Sequence, residues 1–141
     1  MLREGLIFLS HSSTAKAVVT RTPLRAMSRR FVPGERVDDL VRAIKEADAE
    51  GLTATANFLG ESVHDEKNAR IFADTYFDIL ERIHAESLPS HISLKFTALG
   101  QDISEAFLAE NLGRILVRAR EAGVFIRFDM ESHEYTQRTL D

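Results

Sequence analysis

Lys95 and Asp129 are the two side chains of this sequence best suited by type and spacing to do chemistry together. Each lies near the end of a short stretch in which polar and apolar residues alternate, and alternation in an extended chain sends successive side chains to opposite faces. Ser93, Lys95 and Thr97 share one face of one stretch, and Phe125, Arg127, Asp129 and Glu131 share one face of another. A third, earlier stretch groups Thr53, Thr55 and Asn57 in the same way. As ends of successive parallel strands, the lysine and the aspartate become lateral neighbours within ion-pairing reach. A buried lysine is costly unless paired. The pair reads either as a structural clamp between two strands or as charges facing a ligand, and the polar company of Asn57, Thr97, Arg127 and Glu131 favours the ligand. A third use is open to Lys95, because a desolvated lysine can become a Schiff-base nucleophile, as in a barrel lyase.

Other chemistries find less support. His11, His64, His84, His91 and His133 show no helical i,i+4 pair and no metal-ligand spacing, so no metal site is expected. Without cysteine there is no thiolate ligand, cysteine nucleophile or disulfide. Gly60 and Gly100 each follow a strand-like stretch but belong to neither a GxGxxG nor a GxxxxGK pattern, and read as turn glycines.

The elements that must hold these residues follow from periodicity. After Pro33-Gly34, Val37, Leu40, Val41, Ile44 and Ala47 recur at helical spacing, with Gly51 at the C′ position. Thr53 to Phe58 reads as a strand. A helix from Asp65 to Ala85 follows, burying Ala69, Phe72, Ala73, Tyr76, Phe77, Leu80 and Ile83. His91 to Thr97 is the second strand. Asp102 with Glu105, or Ser104 alone, caps a third helix with Phe107, Leu108, Leu112, Ile115, Leu116 and Ala119 on its apolar face and Gly123 at its end. Val124 to Asp129 is the third strand, and a further helix starts at Glu134. Alternating strands and helices predict an α/β fold with a parallel sheet. Strands apolar on one face and polar on the other favour a partial (βα)₈-type barrel over an open sheet covered on both faces, and place a site at the C-terminal strand ends.

Composition sets the limits. With 141 residues, 44% hydrophobic and 28% charged, the chain fits a globular α/β protein, so disorder is not expected. The formal charge of −4 is unevenly spread, since Arg3, Lys16, Arg21, Arg25, Arg29 and Arg30 face Glu4 alone in the opening stretch. The acidic remainder argues against nucleic acid as a partner. Residues 1–34 therefore read as a basic helical segment and residues 35–141 as three βα units. Leu6 to Leu9 is far shorter than the roughly 20 apolar residues that span a bilayer. A solvated basic helix is the expectation there, with a transit-peptide-like start or contact with anionic lipid as alternatives.

Three strand-end motifs carry a family resemblance. Asn57-Phe58-Leu59-Gly60-Glu61, Ser93-Leu94-Lys95-Phe96-Thr97-Ala98-Leu99-Gly100 and Arg127-Phe128-Asp129-Met130-Glu131-Ser132 together resemble successive strand ends of bacterial proline dehydrogenases, and Arg30 to Glu35 is similar to the family's approach to its first helix. Asn57 departs from the pattern, where the family usually has an aspartate. The resemblance implies oxidation of L-proline to 1-pyrroline-5-carboxylate, with FAD as cofactor and a quinone as later electron acceptor. By the same resemblance Lys95 contacts substrate, Asp129 is the catalytic polar residue and Met130 touches the flavin. It also implies a cytoplasmic location, with a peripheral place at the inner membrane left open. A complete barrel takes about 250 residues. The family's later motifs, including its paired arginines for the substrate carboxylate, have no counterpart here. The chain is thus expected to be a truncated barrel, with a non-catalytic fragment that associates with a complementary C-terminal half as the alternative.

Overall fold

A computed structural model describes residues 32–140. Most of the basic opening segment, with its expected helix and lipid contact, lies outside the described residues. Among the described residues, 36–140 belong to one compact unit.

The first helix, α1 (Val37–Ala49), carries Asp38 and Asp39 in its first turn, where the helix dipole favours negative charge. It buries Val41 and Ile44. The Leu52 amide returns to the Ala47 carbonyl at 2.9 Å, closing the helix at Gly51 as the spacing predicts. β1 (Ala54–Ala56) leads to α2 (Glu66–Ala85), capped by the Asp65 side chain, which accepts from the Asn68 amide at 2.9 Å. That backbone hydrogen bond, first among several contacts, holds the Asp65 carboxyl below its ordinary pKa. β2 (Ser90–Leu94) ends in a single 3₁₀ turn, Phe96–Ala98. α3 (Glu105–Ala122) takes the Ser104 hydroxyl as its cap, which accepts from the Phe107 amide at 3.2 Å, and ends at left-handed Gly123. β3 (Ile126–Phe128) and α4 (His133–Leu140) complete the described chain.

The sheet is parallel in the order β1-β2-β3, with Ala56 opposite Ile92, and Ile92 opposite Ile126. α2 and α3 lie side by side and run the same way. An ion-pair ladder shows this, from Arg70–Glu110 at 2.9 Å through Asp74–Arg114 at 3.4 Å to Glu81–Arg118 at 2.5 Å. Both crossover helices therefore cover the same face. Sequential strand order with helices on one side is a barrel segment; a doubly wound sheet would reverse its order and cover both faces. The core lies between sheet and helices, with Leu80, Ile92, Leu94 and Ile115 fully buried.

Two differences from the sequence reading have a physical cause. The strands are shorter than predicted, because ladder pairing stops where each chain turns toward its helix. The second strand does not run on to Thr97: Lys95 is its last extended residue, and the chain then tightens, with the Leu99 amide bonded to the Phe96 carbonyl at 3.0 Å. Alternation fails beyond that point, so Phe96 and Thr97 are both buried. The turn closes at Gly100, whose φ of +106 disfavours any side chain and whose absent Cβ leaves room for the Phe107 ring.

Tyr76 of α2 ties the helix layer to the strand ends. It is almost fully buried, and its hydroxyl donates to the Ser93 carbonyl at 3.1 Å while the Phe58 amide approaches it at 3.4 Å. Burial pushes its pKa up to about 12. Tyr76→Phe should cost roughly 1 kcal/mol in urea denaturation, the usual net worth of such a bond. A midpoint equal to that of the parent would show that Tyr76 fills space there without anchoring the strands.

Candidate active site at the strand ends

Lys95 and Asp129 project from adjacent strand ends. Leu94 sits opposite Phe128 in the parallel register, and the Asp129 amide extends the ladder by donating to the Leu94 carbonyl at 2.8 Å. Alternation from the Ser93–Arg127 pair then puts Lys95 and Asp129 on the same side of the sheet, the side away from α2 and α3.

The two charges nevertheless take different partners. The Lys95 ammonium pairs with Glu61, in the loop after β1, at 2.5 Å. Asp129 accepts from Arg127 Nε at 2.9 Å, from the Asn57 amide at 3.3 Å and from the Ser93 hydroxyl in a short contact. The clamp read from the sequence is thus distributed: Asp129 joins β1, β2 and β3 through neutral donors and one arginine, while Lys95 reaches back to β1's loop. Glu61, chiefly by its hydrogen bond, holds Lys95 above its ordinary pKa against the opposing effect of partial burial, with Glu131 and Asp129 adding at longer range. Asn57, where the resemblance leads one to expect an aspartate, serves as a donor and also bonds Ser93 Oγ at 3.3 Å.

Sequence reasoning missed the roles of Glu61 and Ser93. Ser93 stood on the correct face, but its partner lies on another strand. Glu61 lies in a loop, where alternation says nothing of direction. Asp102, a candidate cap, instead accepts from the Tyr135 hydroxyl at 2.9 Å and from Arg138 at 3.2 Å, so it anchors α4 to the loop after β2. Met130, next to Asp129, is half exposed.

Asn57, Ser93, Lys95 and Asp129 thus stand together at the strand ends, on the side of the sheet away from α2 and α3. Lys95 and Arg127 are both engaged by carboxylates here. Among the described residues no group of three or more His, Asp or Glu is arranged to hold a metal ion. A cleft of about 340 Å³ lies elsewhere, between α1 and α2, where Arg82 and Arg36 already pair with Asp38.

The proline dehydrogenase family model matches residues 40–141. The chain belongs to this family. It is 34% identical over 140 residues to proline dehydrogenase 1 of Bacillus subtilis, covering 99% of this chain and 46% of that protein. Proline dehydrogenase of Deinococcus radiodurans is 30% identical over 128 residues, covering 87% of this chain and 41% of the relative. The chain therefore spans under half the length of these curated relatives. In fold it resembles proline utilization A from Bdellovibrio bacteriovorus, solved after inactivation by N-propargylglycine, with a TM-score of 0.74 over 90% of this chain and 16% of that one, at 22% identity. The barrel expectation thus agrees with a second, independent comparison. Among the described residues no helix is long and apolar enough to cross a membrane.

Proposed function

We propose that this chain supplies the first three strands of a proline dehydrogenase active site. The observation that carries the reading is the placement of Lys95 and Asp129 at adjacent strand ends on one uncovered side, in a chain of that family. Proline is a zwitterion at neutral pH, and a site with one ammonium and one carboxylate on the same rim matches its two charges. Lys95 receives the carboxylate. Asp129, held in place by Ser93, Asn57 and Arg127, faces the ring nitrogen and favours its proton-bearing cationic form on binding. Forming the ring C=N bond takes a hydride from the carbon beside nitrogen and a proton from nitrogen itself, the proton passing to solvent water or to the Asp129 carboxylate beside it. FAD, when bound, supplies the hydride acceptor, and the protein supplies orientation and electrostatics.

Met130 and the Asn57 amide suit contact with the flavin ring, whereas groups for its diphosphate and for the grip of paired arginines must come from elsewhere. We assign these to a complementary C-terminal half of the barrel, covalently continuous or separate. A quinone as final acceptor, a cytoplasmic location and peripheral membrane contact belong to the same reading. The Schiff-base alternative loses ground, because a nucleophilic lysine must be neutral and Glu61 holds Lys95 charged. The test is proline oxidation with an artificial electron acceptor, using the chain together with a C-terminal half of a family member. Absence of turnover while flavin is bound would refute the reading.

A further inference from the structure

We propose that Thr97 and Glu131 are positioning residues, forming a latch across the three strand-end loops that holds Glu61 against Lys95 and so sets how Lys95 is presented to its ligand. The inference rests on the functional reading of Lys95 and adds residues that touch none of the reacting atoms.

Thr97 is fully buried although polar, and every hydrogen-bonding atom it owns is engaged. Its amide donates to Glu131 Oε2 at 3.1 Å and its hydroxyl donates to Glu131 Oε1 at 2.5 Å, binding the loop after β2 to that after β3. The same hydroxyl oxygen accepts from the Ser62 amide at 2.9 Å, and its carbonyl accepts from the Val63 amide at 3.0 Å, binding in the loop after β1. One threonine therefore joins all three loops. Ser62, directly after Glu61, has a φ of +56, a left-handed conformation that a non-glycine residue adopts at a cost. Such strain persists only where surrounding contacts over-determine it. Here the contacts are the two amides delivered to Thr97, and the left-handed turn is what directs Glu61 back over Lys95. Thr97 and Glu131 do for the loops what the ladder does for the strands: they fix side-chain direction where alternation has stopped applying.

The test uses the 141-residue chain and no substrate, so its failure is distinct from failure of the proline reading. Thr97→Val keeps the shape and removes the hydroxyl, and Thr97→Ser restores it. In Thr97→Val the Ser62 and Val63 amides should exchange with deuterium on the order of tenfold faster, equivalent to about 1.4 kcal/mol of lost protection, while the amides of α2 and β2 keep the parent rates. Release of Glu61 should lower the pH midpoint for modification of Lys95 by an amine reagent, since the charged form loses its main support; of the other carboxylates near the ammonium, Glu131 keeps its bond from the Thr97 amide and Asp129 its bonds from Ser93, Asn57 and Arg127. Thr97→Ser should return both readouts toward the parent. Glu131→Gln, read by exchange alone, should loosen the Thr97 amide. Three results would overturn the latch: loop exchange and the Lys95 profile unchanged in Thr97→Val, faster exchange spread evenly over the whole chain, or a serine variant as loose as the valine.

Discussion

Replacing Lys95 by methionine should lower proline turnover by on the order of 10²-fold or more in a flavin-loaded assembly of this chain with a C-terminal half, the scale seen when one electrostatic contact to a reacting group is removed. Stability should hardly change. The ammonium's partner is Glu61, whose side chain is 61% exposed, and removal of a partly exposed pair costs about 1 kcal/mol or less. Asp129 differs. Its carboxylate gathers Ser93, Asn57 and Arg127, so Asp129→Ala strands a buried hydroxyl and an amide, at about 1–3 kcal/mol, as well as losing turnover. Asp129→Asn separates the two effects: its remaining oxygen still accepts from a donor, so folding should be nearly restored while turnover stays low. Steady-state kinetics with proline and a dye, beside urea denaturation of each variant, check the set. Turnover at the parental level in Lys95→Met or Asp129→Asn would make the charges structural and remove the site assignment.

How far the sequence reveals this site depends on where alternation holds. Within the ladder and for one residue beyond it alternation holds, and Asn57, Ser93, Arg127 and Asp129 stand on the face that their spacing requires. Helix limits were legible too, because Asp65, Ser104 and Gly123 act through local hydrogen bonds and dihedral preference. Beyond Lys95 the information stops. Thr97 is buried not because it continues a strand face but because a 3₁₀ turn carries it under the loops, and no local pattern distinguishes the two. Glu61 lies 34 residues from Lys95 and Ser93 lies 36 from Asp129, so the choice of these partners is a tertiary fact. Family motifs pointed to the candidate residues, but motifs do not say which charge meets which.

Expressed alone, these 141 residues should neither hold FAD nor oxidise proline. Among the described residues β1 and β3 each pair on one side only, which leaves two strand edges open, and a barrel closes only by pairing its terminal strands. The β3 strand also carries exposed apolar side chains. Phe128 is 40% exposed on the helix side and Phe125 66% exposed on the other, and Leu116 and Val117 of α3 are exposed as well. Apolar surface next to unpaired backbone invites pairing between copies, so the isolated chain should elute as an oligomer or aggregate. Flavin retention needs a diphosphate site, and Lys95 and Arg127 at the strand ends are already held by Glu61 and Asp129. Proline fares no better, because a single ammonium competing with its own carboxylate partner gives little orientation, and orientation is what hydride transfer requires. The purified chain should be colourless and turn yellow only when a C-terminal half is supplied, with a matching shift from oligomer to a defined complex on size exclusion. A yellow monomer that reduces a dye with proline would sink this expectation and mean that three strands suffice for the chemistry.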